Sequence, residues 1–169
     1  MADWTKSKTF LPHDDYMTPS YAWDWIKDYI PKDKVIWEAF YGDGTSGEKL
    51  RELGFNVIHK QVDFFKNDMG EIVVSNPPFS KSKEILTRLK DINKPFILIM
   101  PSAKITTNYF AELFKNENIK IIIPPRRINF IKQKNGRTIL SEKDSRCSFD
   151  CFYYCWKLDV ESPSDIIFL

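Results

Sequence analysis

The chain has 169 residues, a length that suits one domain. Hydrophobic residues make up 43% and aromatic residues 15%, enough for a packed core, which excludes a disordered or low-complexity protein. The formal net charge of +2 excludes a uniformly basic or acidic chain, but it is unevenly spread: residues 126–146 carry seven basic against two acidic side chains, a net +5 that leaves −3 for the remainder.

In chain order, the head, to about Tyr16, is polar and is expected to be mobile. Its opening residues, Met1-Ala2-Asp3-Trp4-Thr5-Lys6, do not read as a signal peptide, and no apolar run approaches membrane-spanning length. The expectation is a soluble, cytoplasmic protein, or one of a host's cytoplasm if the source is viral. Thr18-Pro19-Ser20 opens a helix that places Ala22, Trp23, Trp25, Ile26, Tyr29 and Ile30 at helical spacing and ends at Pro31. Val35–Phe40 reads as a buried strand and Tyr41-Gly42-Asp43-Gly44 as a tight loop. Thr45 or Ser46 then caps a short helix that Gly54 terminates. Phe55–His59 is the next strand, which completes a strand–glycine loop–helix–strand unit of the kind that joins parallel strands.

Only about ten residues separate His59 from the apolar strand at Glu71–Ser75, too few for another crossover helix. That strand runs into Asn76-Pro77-Pro78-Phe79. A strand stopped by two prolines leaves carbonyl groups unpaired, with an amide before them and an aromatic ring after. Such a set suits a planar amine, with acceptors for its N–H groups and a ring for its face; it also suits a plain strand-ending turn. A helix over about Lys81–Leu89 with Ser80 as its cap follows. Next come a buried strand at Pro95–Pro101, a helix at Asn108–Phe114 and a strand at Ile119–Ile123.

The basic segment comes next. Arg126, Arg127, Lys132, Lys134 and Arg137 flank or approach an Asn135-Gly136 hairpin turn, which marks residues 124–146 as a polyanion contact or a solvated hairpin. Cys147 to Leu158 reads as the returning strand and Ile166–Leu169 as a short edge strand. The three cysteines, Cys147, Cys151 and Cys155, share one strand phase and read as small buried apolar residues, with no metal site expected. Strands alternating with helices, then an antiparallel element, give an α/β fold. Its ligands belong at strand carboxyl ends, where Glu38–Gly44 and Ser75–Phe79 both sit.

These motifs, in this order, resemble the S-adenosylmethionine-dependent amino-methyltransferases, and in particular the small phage-type DNA N6-adenine methyltransferases. Asn76-Pro77-Pro78-Phe79 resembles their (Asp/Asn)-Pro-Pro-(Tyr/Phe) signature. Glu38-Ala39-Phe40-Tyr41-Gly42-Asp43-Gly44 resembles their glycine motif, Asp15-Tyr16-Met17-Thr18-Pro19 their Tyr-x-Thr-Pro element, and Asp63-Phe64 the pair that reads the cofactor adenine. Lys94-Pro95-Phe96 and Arg127-Ile128-Asn129-Phe130 extend the likeness over most of the chain. The resemblance implies a Rossmann-like class I methyltransferase fold with a mostly parallel sheet and a C-terminal antiparallel hairpin. The third strand and its helix would be reduced or missing, all within a single domain, 1–169, without a separate target-recognition domain.

The resemblance also implies S-adenosylmethionine as cofactor, held by Tyr16, Thr18, Pro19, Glu38, Phe40, Gly42, Gly44, Asp63 and Phe64. Adenine in DNA would be the acceptor, flipped out against Asn76, Pro77, Pro78 and Phe79. Arg126, Arg127, Lys132, Lys134 and Arg137 would be the nucleic-acid contact, and RNA adenine, cytosine N4 or a protein glutamine are alternative acceptors. A catalytically silent member that binds nucleic acid or protein is the reading from a different class. One departure stands out: where the family usually has a ribose-binding acid, this chain has His59-Lys60-Gln61. His59 or Gln61 could substitute, and His59 also suits a packing role.

Overall fold

The structure is a computed structural model that describes residues 16–134, 137–138 and 150–169, with only the backbone described at 132–134 and 137–138. The polar head before Tyr16, the Asn135-Gly136 turn and Cys147 lie outside the described residues. In chain order the elements are β1 (Tyr16–Met17), α1 (Ser20–Ile26), β2 (Ile36–Trp37), α2 (Thr45–Glu52), β3 (Val57–Ile58), β4 (Ile72–Ser75) and α3 (Ser82–Asp91). They continue with β5 (Phe96–Pro101), α4 (Asn108–Phe114), β6 (Ile119–Ile123), β7 (Ile131–Lys134), β8 (Arg137–Thr138), β9 (Cys151–Trp156) and β10 (Ile166–Phe168).

Seven strands form one sheet in the order β10-β6-β9-β5-β4-β2-β3. All neighbours run parallel except β9, which lies antiparallel between β5 and β6. Alternation along each strand divides the core into two layers. Ile72 and Val74 of β4, with Ile97 and Ile99 of β5, face α1 and α2, where Ala22, Trp23, Ile26 and Leu50 are buried. Val73, Phe96, Leu98 and Met100 face the opposite layer, with Ile85, Leu86 and Leu89 of α3 and Phe110 and Phe114 of α4. Each such side chain contributes about 1.5–3 kcal/mol relative to exposure, so both layers are needed and the sheet is doubly wound.

The chain leaves β2 through α2 to β3 on one side, while β4 and then β5 add on the other. The strand order therefore reverses between β2 and β4, which are direct neighbours (Ile36↔Ile72, Trp37↔Val73). A crevice opens at the carboxyl ends of two such strands. The loops after Trp37 and after Ser75 flank it, as their sequences predict.

The abbreviation beyond β3 is present as well. Among the described residues no strand pairs outside β3. The link from His59 to β4 is pinned instead of extended. The Glu71 N–H donates to the Val35 carbonyl at 2.7 Å, and the Glu71 carboxylate accepts from the Val35 N–H at 2.8 Å. Lys94 Nζ reaches Asp68 at 2.6 Å and the Gly70 carbonyl at 2.7 Å. Gly70 has φ +61, and a Cβ there would stand 2.9 Å from the Val35 carbonyl.

Several local expectations change. The first helix ends at Ile26, and turns lead from there to Pro31. The helix after the NPPF motif starts at Ser82, behind a 3-10 turn over Phe79–Lys81. Its Ser82 hydroxyl, rather than a Ser80 cap, binds back to the Phe79 carbonyl at 2.8 Å. At α2 the capping acceptor is Asp43, whose Oδ1 takes the Thr45 N–H at 3.0 Å and the Thr45 hydroxyl at 2.6 Å; Ser46 is used elsewhere, accepting from Trp23 Nε1 at 3.2 Å. The C-terminal antiparallel element is split in two. The strand that returns from the hairpin is β8, in register Lys134↔Arg137 with β7. β9 enters the main sheet because both of its faces are apolar: Cys151, Tyr153 and Cys155 serve one layer and Tyr154 and Trp156 the other.

Candidate active site

At the end of β4, Ser75 is wholly buried and the next residue, Asn76, turns its amide towards β1. Asn76 Nδ2 donates to the Tyr16 carbonyl at 3.3 Å. That bond fixes the amide orientation, because a flipped amide would set two acceptors against each other. Asn76 Oδ1 is then left buried with no hydrogen-bond partner among the described residues. A buried acceptor without a donor costs about 1–3 kcal/mol, so Oδ1 is available to a hydrogen-bond donor. Pro77 and Pro78 supply no N–H, so the chain cannot extend the β4 ladder here. Phe79 is buried beside this amide in an edge-to-face contact with Phe130, centroids 6.1 Å apart, and Phe130 makes a second one with Tyr16 at 6.4 Å. The turn is thus enclosed by an aromatic wall drawn from three distant parts of the chain.

Across the crevice, Gly42 and Gly44 take φ of +58 and +90, left-handed conformations that favour glycine. A Cβ on Gly42 would stand 3.0 Å from Met17 Sδ, so β1 closes over this loop too. Glu38, 1% exposed, is not aimed into open solvent. Its Oε1 accepts from the Ser75 hydroxyl and from the Phe40 N–H at 3.4 Å. Its Oε2 lies 2.7 Å from His59 Nε2, within ion-pair range but off line for a hydrogen bond.

Thr18 is buried, and its hydroxyl has no partner among the described residues. Thr18 does not cap α1: Pro19 occupies the cap position, and no side chain bonds there. Thr18 is therefore a second buried polar group without a partner, directly after β1.

The Asp63-Phe64 pair sits differently from its sequence reading. Phe64 is fully buried, stacked on Trp37 at 5.5 Å and tilted against Phe40 at 4.9 Å. The ring that this segment presents outward is Phe65, 38% exposed. Asp63 Oδ1 accepts from the Phe65 N–H at 2.9 Å, which holds the turn. His59 turns inward and is 8% exposed, so it does not extend to the surface as a ribose acid would.

The basic residues divide into two groups. Arg126 lies over the rings of Tyr21 and Trp25, 5.1 and 5.5 Å from their centroids. Arg127 Nε binds Asp150 Oδ1 at 2.7 Å. Both fasten the segment after β6 to the body. Lys132, Lys134 and Arg137 lie on β7 and β8, and β7 pairs with β1 in register Tyr16↔Lys132. This placement ties the hairpin through β1 to Asn76. Neither the two-residue β1 nor its role as a bridge was foreseen; a strand so short gives no periodic signal.

Among the described residues no cluster of histidine, cysteine and acidic side chains could hold a metal. Cys151 and Cys155 are buried free thiols, and burial pushes the Cys155 thiol up to about 12. No helix among the described residues is long and apolar enough to cross a membrane.

No family model and no curated protein matches the sequence. Among solved structures, a Listeria monocytogenes protein proposed to be a class I S-adenosylmethionine-dependent methyltransferase matches at 15% identity and a TM-score of 0.44, over 95% of this chain and 67% of that one. At that TM-score the likeness carries no argument, and function has to rest on the crevice itself.

Proposed function

We propose that the protein transfers a methyl group from S-adenosylmethionine to the N6 amine of adenine in DNA. The observation that carries this reading is the buried, partnerless Asn76 Oδ1 beside Phe79, at the point where the strand order reverses. An acceptor fixed in that way suits the N–H of a planar amine. The left-handed glycines at 42 and 44, on the other side of the crevice, and the unpartnered Thr18 hydroxyl directly after β1 suit a small polar cofactor. Gly42, Gly44, Tyr16, Thr18 and Pro19 would hold the cofactor's amino-acid end, and Asp63 with Phe65 its adenine. When bound, the cofactor supplies an electrophilic methyl group on sulfonium sulfur.

The chain's own work is orientation. Asn76 Oδ1 and the Pro77 carbonyl accept the two N–H groups of the target amine, which localises its lone pair and aims it across the crevice. Phe79 packs on the base. A fixed dipole set in a water-poor site accelerates transfer without a covalent nucleophile. The methyl group would pass to the amine held by Asn76 and the Pro77 carbonyl, and the methylated amine would release one proton to solvent. A duplex adenine must leave the stack to reach this depth, at a cost of a few kcal/mol. Contacts from the β7–β8 hairpin to phosphates offset that cost.

The test is incubation with methyl-labelled S-adenosylmethionine and, in parallel, duplex DNA, RNA and a protein extract. Label on DNA adenine supports the reading. Label confined to RNA, to cytosine or to protein glutamine moves the same chemistry to another amine. No cofactor binding and no transfer to any acceptor leaves a binding protein built on this fold.

A further inference from the structure

His59 stands where a ribose-binding acid is expected, yet it points into the protein. Its seat is made by Gly47 of α2. A Cβ on residue 47 would come within 1.9 Å of Nδ1, 2.3 Å of Cγ and 2.7 Å of Cβ of His59. The last two atoms belong to the root of the side chain, so no rotation of the ring relieves the clash. Gly47 has no positive φ to explain it; only the imidazole does. Once seated, the ring stacks on Tyr41, centroids 4.3 Å apart with 25° between planes. Nε2 lies 3.2 Å from the Tyr41 carbonyl and 2.7 Å from Glu38 Oε2. The other oxygen of Glu38 accepts from the Ser75 hydroxyl. Glu38, His59 and Ser75 are all buried. They form one polar chain under the floor of the crevice, from the glycine loop after β2, past the end of β3, to the residue just before Asn76.

We infer that His59 is a positioning residue that sets the glycine loop and the Asn76 turn in register with each other, acting through Glu38 and Ser75. Oε1 of this deep carboxyl takes its donors from Ser75 and Phe40, while the His59 ring stands against Oε2, and breaking one link leaves a buried polar group that the others must move to satisfy. The two halves of the crevice, carried by the paired strands β2 and β4, thereby become one rigid unit. The geometry stands by itself; that the unit aligns a methyl donor with an amine rests on the proposed methyl transfer.

Two readouts separate the inference from that reading. Hydrogen exchange on the ligand-free protein needs no activity. His59→Ala and Gly47→Ala are expected to speed exchange at least about tenfold both at 41–44 and at 79–82, whereas His59→Gln, which keeps a side-chain N–H, restores most of the protection. Ser75→Ala is expected to do the same at both places while leaving the His59 seat intact. Faster exchange confined to 41–47 overturns the coupling, whatever the protein methylates. In transfer assays, His59→Ala and Ser75→Ala are expected to lower kcat far more than they raise KM for S-adenosylmethionine. Their double variant should be no worse than the poorer single one, because both act through Glu38. Multiplicative losses contradict the shared pathway. An inactive wild type removes the methyl-transfer reading and leaves the exchange result to decide the coupling.

Discussion

Asn76 donates its side-chain amide to the backbone carbonyl of Tyr16 at 3.3 Å, across 60 positions of sequence. One hydrogen bond thereby fixes which end of the amide faces the crevice, and it joins the acceptor turn to β1, on which the basic hairpin is paired. The site's chemistry and its proposed route to nucleic acid meet at this point.

Replacing Asn76 by alanine removes the acceptor and the Tyr16 bond together. Transfer is expected to fall by about a hundredfold or more, the usual loss for one preorganised polar group. Cofactor affinity should change by less than about threefold. Stability is expected to stay within about 1 kcal/mol, because the lost hydrogen bond is offset by removal of a buried acceptor that has no donor. Calorimetric binding and thermal melting check both points, and a large loss of stability would make Asn76 structural.

Gly42→Ala should be costly in a different way. It forces φ +58 on a residue with a side chain and pushes a Cβ to 3.0 Å from Met17 Sδ. A destabilisation of about 1–2 kcal/mol is expected from the backbone alone, with loss of cofactor binding as the loop shifts. Unchanged binding in a folded variant would move the cofactor away from this loop.

Much of this was legible in the sequence, and the failures have physical causes. Strand-terminating motifs are readable because Asn76-Pro77-Pro78 and Gly42-Asp43-Gly44 break the ladder whatever surrounds them. The neighbouring pair Phe64 and Phe65 was not readable. Both rings lie in a turn, where no period of two or 3.6 says which one faces inward, and Trp37 and Phe40 settle it for Phe64. Charge counts likewise could not show that Arg126 and Arg127, expected as nucleic-acid contacts, have partners within the chain. Their partners, Tyr21, Trp25 and Asp150, come from α1 and from the chain just before β9. β9 was recognisable as a strand, but its place between β5 and β6 follows from long-range pairing.

Charge at the hairpin and charge on the body should behave differently in DNA binding. Reversal of Lys132 and Lys134 to glutamate is expected to weaken binding across sequences and to reduce the salt-dependence slope by about one for each phosphate that is no longer neutralised. Arg127→Ala should leave the slope nearly unchanged, since its guanidinium is bound to Asp150. Filter binding across a salt series distinguishes them, and equal slopes for all variants would take the hairpin out of the interface.

Alkaline pH should unfold the protein in a defined window. Burial raises the Cys155 thiol from 9.0 to about 12 and also raises Tyr153 and Tyr154 above the ordinary tyrosine value of 10.0. All three are neutral when protonated, so their contribution is complete below the unfolded values. It declines as pH rises past about 9 for the thiol and about 10 for the phenols, by about 1.4 kcal/mol per pH unit for each group. Denaturant melts between pH 8 and pH 11 should show this decline; Cys155→Ala should begin it about one unit later. A flat profile would contradict the burial of these groups.

The central claim is methyl transfer to adenine N6 at the Asn76 turn, and nucleoside mass spectrometry reads it most directly. DNA from cells that lack other adenine methylation is digested after expression of the wild-type protein or of Asn76→Ala. The expected result is N6-methyladenine with the wild type and none above background with the variant. Methylcytosine in its place, or equal N6-methyladenine from both proteins, would contradict it.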